Sequence, residues 1–227
     1  NTRVSYPIDH IDKIMEYVLN HIGVEYTGPL DFMEFWLQTV MDWEKDTGND
    51  VLVALNATKD VMDAVLADPH YNKAVDVIDI RQWYYRTDGD VYAPVGGVSL
   101  APRQYARVMD VGTTDAECVW RAVREYRQKF PGKAVMYNAS RTPGADWTAF
   151  IAGSSLAQIP AAVTAEKFYV NALLMDPVVD DAAVDCHAMG KAGTGYILFT
   201  MSASCSLDLS SDKGAYMLVW IDPRTGA

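Results

Sequence analysis

The stretch from Val75 to Arg86 joins a strand pattern to side chains that could bind or transform a ligand. It opens with an apolar, β-branched run, which predicts a strand buried on both faces. Polar and aromatic residues follow directly: Arg81, Gln82, Trp83, Tyr84, Tyr85 and Arg86. In an α/β barrel, residues of these types at the carboxyl ends of the strands contact the substrate. This strand end is therefore the first candidate for an active site.

Aromatic and amide side chains near two strand ends could grip a saccharide. Trp83, Tyr84 and Tyr85 could stack on the apolar C–H faces of sugar rings, although packing in the core or a loop is the alternative. Asn56 and Lys59 follow the strand pattern Val51–Leu55 and could hydrogen-bond hydroxyl groups. Lys59 could equally be a solvated residue in the first turn of a helix.

Charge limits the partners that the chain can bind. A formal net charge of -11 argues against a general affinity for nucleic acid or anionic lipid, whereas a neutral partner such as a sugar remains open. Arg103 and Arg107 could bind the carboxylate of an acidic sugar in a bidentate manner. The alternative is ion pairs with nearby acidic residues, namely Asp88, Asp90 and Asp110.

The sequence shows no pattern for a metal or a cofactor, so neither is predicted. The histidines are scattered without ligand spacing: His10, His21, His70 and His187. Gly96 and Gly97 lack a nucleotide-binding pattern, and no serine lies in a G-x-S-x-G elbow. Cys118 is expected in a helix core. Cys186 and Cys205 could pair in an oxidising compartment, but spacing alone cannot place their Cα atoms within ~7 Å.

No targeting or membrane segment is recognisable. The first seven residues lack a signal-peptide pattern and an initiator Met, which predicts a chain processed or cut from something longer. No apolar run approaches the ~20 residues that a membrane span needs. With 227 residues, half of them apolar, the chain is long enough for a sizeable core.

Helix and strand patterns alternate up to residue 160. Predicted helices run from Gly28 to about Lys45, from Thr58 to Leu66 and from Thr114 to Lys129, the last with a Thr114–Glu117 capping box. Between them lie three strand patterns, Val51–Leu55, Val75–Ile80 and Ala134–Tyr137. Alternation over this length implies a parallel sheet with helices outside it. For residues 8–23 a helix through Ile22 and a strand over Tyr17–Gly23 both remain open.

After residue 160 the pattern changes to short strands separated by turns. The predicted strands are Phe168–Leu174, Ala183–Met189, Tyr196–Met201, Ser206–Leu209 and Tyr216–Ile221. Strands at this spacing are typical of an antiparallel sandwich or part of one. We therefore predict two domains, residues 1–160 and a β-rich module over residues 161–227.

Several blocks, taken in order, resemble a known family. They are Gly23–Pro29, Phe32–Trp36, Ala54–Asp60, Val77–Trp83, Tyr92–Gly97, Leu100–Gln104, Ala152–Ala157 and Trp220–Gly226. Together they are similar to the glycoside-hydrolase-like (β/α)8-barrel proteins of carbohydrate-degrading bacteria, which often carry a C-terminal β-sandwich likened to a collagen-binding domain. The resemblance covers the second half of such a barrel. It implies an α/β fold: a partial or divergent (β/α) TIM-type barrel followed by a small antiparallel β-sandwich-like module.

The resemblance also implies candidate catalytic residues. In such barrels a general acid follows the fourth strand, and Glu25 matches that place, with Tyr26 able to help exclude water from it. A carboxylate expected after Ala134–Tyr137 is absent from residues 138–141, although Asn138 there could bind substrate. Asp79 is the substitute, with Arg81 near enough in sequence to keep it ionised. The alternatives are a helix-entry carboxylate for Glu25 and a buried ion pair for Asp79.

The function that this resemblance favours is hydrolysis of a glycosidic bond in a polysaccharide or oligosaccharide. A Glu25–Asp79 separation of about 5–5.5 Å would favour a retaining mechanism, and about 6.5–9.5 Å an inverting one. The alternative is a non-catalytic carbohydrate-binding or scaffold protein. A secreted or periplasmic location is expected, and an incomplete barrel predicts either self-association or a missing N-terminal half.

Overall fold

A computed structural model describes most of the chain. The described residues are 28–81, 84–85, 91–92, 114–138, 142–160, 171–172, 174–178 and 183–226. The chain divides into two compact units. The first unit is Asn1–Val77 with Arg81–Thr114, and the second is Ile78–Ile80 with Asp115–Ala227. The predicted boundary after residue 160 adjoins residues 161–170, which lie outside the described part, and it stays a prediction.

The first helix of the first unit, α1, runs over Gly28–Thr47 as the sequence predicts. Asp31 lies in its first turn and Lys45 in its last, the arrangement that the helix dipole favours. Gly48 ends the helix with φ +69° and donates its N–H to the Glu44 carbonyl at 2.8 Å. Leu37 is buried, but Trp36, which the pattern places on the same inward face, is half exposed.

The rest of the described first unit begins with the short strand β1, Ala54–Leu55. Helices α2, Lys59–Ala67, and α3, Pro69–Asn72, follow it. Helix α2 buries four apolar side chains, Val61, Met62, Val65 and Leu66. Asp68 caps α3 by accepting from the His70 N–H at 2.7 Å. Asp76 has a structural role, because its carboxylate accepts from the Val53 N–H at 2.8 Å.

Strand β2, Val77–Arg81, lies between β1 and a later strand, β5 (Ala134–Asn138), in a three-stranded parallel sheet. Four of its five residues are buried, which confirms the predicted buried strand. The spatial order of the three strands follows the chain, as expected when helices connect successive parallel strands. Closure into a barrel remains a prediction. A hairpin of β3, Tyr84–Tyr85, and β4, Val91–Tyr92, follows β2 in the chain.

Two helices flank β5 along the chain in the second unit. Helix α4, Ala116–Lys129, packs its inward face with Val119, Ala122, Val123 and Tyr126. Its N-cap is Asp115, which accepts from the Cys118 N–H at 2.8 Å, so the predicted Thr114–Glu117 capping box is wrong. Helix α5, Ala145–Ile151, follows Gly144 at φ +74°. Beyond α5, Leu156 pairs in parallel with Met136 of β5.

The C-terminal part is antiparallel, as predicted. Strands β6 (Asp176–Pro177), β8 (His187–Lys191) and β9 (Gly195–Phe199) form one sheet, and β7 (Ala183–Val184) pairs with β10 (Ser206–Leu207). A kink at Asp185, φ +56°, divides the predicted strand Ala183–Met189. The predicted strand over residues 216–221 is wrong, because these residues pair with no strand of the described chain. In the predicted strand Phe168–Leu174, residues 171–172 are helical, and residues 168–170 and 173 lie outside the described residues.

An apolar core within the second unit joins α5 to strands β8 and β9. Its buried members are Trp147, Phe150, Ile151, Ala172, Met189 and Phe199. Helix α5 thus packs against the antiparallel strands β8 and β9. None of the described helices is both long and apolar enough to cross a bilayer.

Candidate functional site

A hydrogen bond links two of the residues that the sequence singled out. The Asn138 side-chain amide, at the last position of β5, donates to Oδ1 of Asp79 on β2 at 2.9 Å. Both residues belong to the second unit. We call Asp79, the third of the five residues of β2, and Asn138, the last residue of β5, the strand-end pair.

Burial separates the two members of the strand-end pair. Asp79 is only 5 % exposed, whereas Asn138 lies at the exposed end of its strand. A buried carboxylate is costly unless hydrogen bonds compensate it, and the Asn138 amide supplies one of them. The bond in turn holds an amide with donor and acceptor atoms at the protein surface, where hydroxyl groups could reach it.

Other predicted binding residues belong to the first unit. Lys59 forms an ion pair with Asp63 at 2.7 Å, and its side chain is mostly buried. Lys59 is therefore an ion-paired, mostly buried residue of α2, and the solvated alternative is wrong. Its role in binding hydroxyl groups stays a prediction. Asn56 is half buried just past β1, and Arg81 is exposed at the end of β2. Tyr84 is placed opposite Tyr92 in the β3–β4 hairpin.

Four predicted site residues lie outside the described residues: Glu25, Tyr26, Trp83 and Arg103. The roles assigned to them, and the separation of Glu25 from Asp79, stay predictions. The same holds for Arg107 and for the helix or strand at residues 8–23.

A cavity of about 700 Å³ beside α5 was not anticipated from the sequence. We call it the α5 cavity. Trp147 forms part of its wall, with its indole N–H donating to the Pro223 carbonyl at 2.7 Å and its ring stacked on Phe199. Polar groups lining the cavity are those of Asp146, Gln158, Thr200 and Arg224. An apolar cavity with a few converging polar groups is the usual form of a small-molecule site.

Asp146 is the acidic residue of the α5 cavity. Burial raises the pKa of its carboxyl above the ordinary 3.8. No cation of the described chain lies within ion-pair distance of it. Sequence reasoning sought a carboxylate directly after β5, at residues 138–141, and missed one that follows the Pro143–Gly144 turn. The Asp146–Trp147 dipeptide after that turn was the available signal.

A second cavity, of about 410 Å³, lies near His187 of β8. The imidazole stacks on Trp120 with ring centres 4.8 Å apart, and its Nε2 lies 3.9 Å from a Glu117 carboxylate oxygen. Burial lowers the pKa of His187, although Glu117 and Asp115 act in the opposite direction. The ring therefore favours its neutral form. Within the described residues no cluster of three or more side chains could hold a metal ion.

Comparison with known proteins identifies a family but no activity. The family described as a domain of unknown function, DUF6298, matches residues 5–175. The chain belongs to the DUF6298 family. No curated protein and no solved structure matches the chain.

The DUF6298 match includes the strand-end pair and Asp146. It ends one residue before β6, so part of the α5 cavity wall, including Phe199, Pro223 and Arg224, comes from outside the matched range. The α5 cavity therefore combines residues of the DUF6298 region with residues that follow it.

In this DUF6298 protein, replacing Asp146 with asparagine should raise stability near neutral pH. Burial raises the pKa of the wild-type carboxyl in the folded state, so its stabilising effect is complete below pH 3.8 and is lost as pH rises through the raised pKa. Asparagine does not ionise, so the variant does not lose this stability as the pH rises. Melting curves from pH 3.5 to 7.5 should show equal stability in acid and a higher Tm for the variant than for the wild type at pH 7.

Asp222 provides an opposite control for Asp146. The backbone N–H of Arg224 donates a hydrogen bond to the Asp222 carboxylate, and this bond is the main cause of the lowered pKa of that carboxyl. Asp222→Asn should therefore lower stability at neutral pH and have no effect in strong acid. If Asp146→Asn also lowers stability at pH 7, the carboxylate has a stabilising partner and burial does not dominate its environment.

Proposed function

We propose that this protein acts on carbohydrate and hydrolyses a glycosidic bond, with Glu25 as the proton donor and Asp79 as the nucleophile or base. The observation that supports this proposal is the 2.9 Å hydrogen bond of the strand-end pair. It brings a carboxylate and an exposed amide together on neighbouring parallel strands. Carboxyl ends of such strands are where α/β enzymes bind their substrates.

The residues of the strand-end pair suit different parts of this reaction. The Asn138 amide can hydrogen-bond a sugar hydroxyl next to the bond that breaks, and such bonds strengthen in an oxocarbenium-like transition state. Asp79 would supply negative charge to that transition state. Glu25 would protonate the leaving oxygen, which requires a carboxyl that stays protonated near neutral pH.

A second candidate function is carbohydrate binding without hydrolysis. The burial of Asp79 favours it, because a side chain only 5 % exposed gives a sugar little access to its oxygens. In this alternative Asp79 is a positioning residue that orients the Asn138 amide. Asn138 then contacts the ligand and no bond is cleaved.

Activity on a panel of aryl glycosides and polysaccharides, with Glu25→Gln and Asp79→Asn variants, tests both functions. Hydrolysis with these carboxylates predicts turnover that falls about 10²–10⁴-fold in Glu25→Gln, because general acid catalysis contributes about that much. Asp79→Asn should fall by a similar factor if Asp79 reacts. A mainly KM-based loss of about tenfold would instead indicate a positioning role.

Glu34→Gln makes the same change on α1, outside the proposed catalytic groups, and should leave turnover unchanged. Binding should be measured in parallel by calorimetry with the same saccharides. Saccharide binding without turnover by any form would select the second candidate. Turnover that Glu25→Gln leaves intact would overturn the assignment of the acid.

A further inference from the structure

The register of β7 and β10 brings two cysteines together in the second unit. Val184 pairs with Ser206 and Ala183 with Leu207 in this antiparallel ladder. Cys186 follows Val184 by two residues, and Cys205 immediately precedes Ser206. Both cysteines therefore lie at the same end of the ladder, just beyond its last paired residues.

Contacts of the thiols agree with this register. The Cys186 thiol donates to the Ser206 carbonyl, with sulfur and oxygen 3.8 Å apart. The Cys205 thiol lies near enough to contribute, after burial, to the raised pKa of the Cys186 thiol. The kink at Asp185, φ +56°, turns the chain between β7 and β8 immediately before Cys186. Both cysteines are half buried, so a small oxidant could reach them.

We propose that Cys186 and Cys205 are an oxidisable dithiol that closes to an intramolecular disulfide, whereas Cys118 remains a thiol. All three cysteines are free in the structure. Cys118 lies in the first turn of α4, where its backbone N–H is held by Asp115. Burial raises the pKa of the Cys118 and Cys186 thiols alike, to about 11, so thiol pKa does not distinguish them. The register of β7 and β10 does, because it gives Cys186 a second cysteine, Cys205, at the same end of the ladder.

The oxidant for this step is a low-molecular-weight disulfide, such as oxidised glutathione. One protein thiolate attacks it, forming a mixed disulfide and releasing one glutathione thiolate. The second protein thiolate then attacks the protein sulfur of the mixed disulfide and releases the other glutathione. The two cysteines together lose two protons and two electrons, and oxidised glutathione becomes two thiols.

The bond would close a loop that contains β8 and β9. That loop carries His187, Phe199 and Thr200, which line the cavity beside Trp120. Cross-linking restricts the unfolded chain, so oxidation should stabilise the folded second unit. The proposal does not depend on the proposed carbohydrate function.

Thiol labelling with N-ethylmaleimide after incubation in oxidised glutathione tests this proposal. Reduced, denatured protein should take three labels, and oxidised protein one label, located on Cys118 by peptide mapping. The intact mass should fall by two hydrogen atoms. Oxidation should raise the Tm by about 5 °C or more, and a reductant should reverse the shift.

Two variants make the result specific. Cys118→Ser should still form the disulfide and show the Tm shift. After the same oxidation and a wash in mild reductant, Cys205→Ser should take two labels. It should show no internal disulfide and no loss of mass. Three labels on oxidised wild type, a bond that includes Cys118, or glutathione adducts alone would overturn the proposal.

Discussion

Replacing Trp147 with alanine is expected to destabilise the second unit by about 3–5 kcal/mol, the range for truncating a buried aromatic side chain. Trp147 is only 8 % exposed and stacks on Phe199, with ring centres 6.4 Å apart. Its ring also meets Phe150 edge-on. Alanine would leave a cavity between α5 and the antiparallel strands and would leave the Pro223 carbonyl without the indole N–H. Urea unfolding followed by circular dichroism measures the loss.

Two substitutions separate packing from other effects of changing a tryptophan. Trp147→Phe keeps a ring but removes the bond to Pro223, so it should cost about 1–2 kcal/mol. Trp220→Ala removes a tryptophan that is 77 % exposed in the same unit, and should change stability by no more than about 0.5 kcal/mol. Equal losses for Trp147→Ala and Trp220→Ala would contradict the packing of the core.

The same experiment bears on the predicted boundary after residue 160. Trp147 lies before that boundary, whereas Met189 and Phe199 of its core lie after it. If Trp147→Ala shifts a single transition seen by all probes, the two sides of the boundary unfold together. A separate, unshifted transition of residues 161–227 would support the predicted independent module.

Local patterns predicted the main helices and the strands Val77–Arg81 and Ala134–Asn138 well. The predicted buried strand Val51–Leu55 is wrong over most of its length, because only Ala54–Leu55 form a strand and Val51 and Leu52 are exposed. Burial of a single element can be predicted from the pattern of its own residues. Examples are the β-branched run at Val75–Ile80 and the helical spacing of Val119, Val123 and Tyr126. The partnership of Asp79 with Asn138 spans 59 residues, and no local pattern encodes it. Each residue could be proposed separately, but their hydrogen bond required the strand order.

The C-terminal strands were predicted less well for a physical reason. A strand forms when another strand supplies hydrogen bonds, so β-branched composition alone is insufficient. Met217, Leu218 and Val219 have a strand-like composition, yet they are exposed and pair with no strand of the described chain. Asp185 interrupts another predicted strand because it adopts a positive φ. Aspartate tolerates this conformation without requiring it, so the residue type alone does not predict the interruption.

Gly144→Ala is expected to cost about 2–4 kcal/mol, through backbone strain and a steric clash together. Gly144 has φ +74°, a conformation that costs alanine about 1–2 kcal/mol. A Cβ there would lie 2.7 Å from Cζ of Phe199 and 3.0 Å from the Met201 sulfur. The Phe199 ring cannot retreat freely, because Trp147 stacks on it. Chemical denaturation measures the cost.

Gly193 separates strain from clash for this prediction, since the two glycines share the same unit and nearly the same backbone angle. Gly193 has φ +76°, and a Cβ there would meet nothing within 4 Å. Gly193→Ala should therefore cost only the strain, about 1–2 kcal/mol. The excess loss in Gly144→Ala reports how tightly the start of α5 packs against Phe199. Equal losses at the two positions would mean that this ring yields without cost, which would contradict a rigid wall for the α5 cavity.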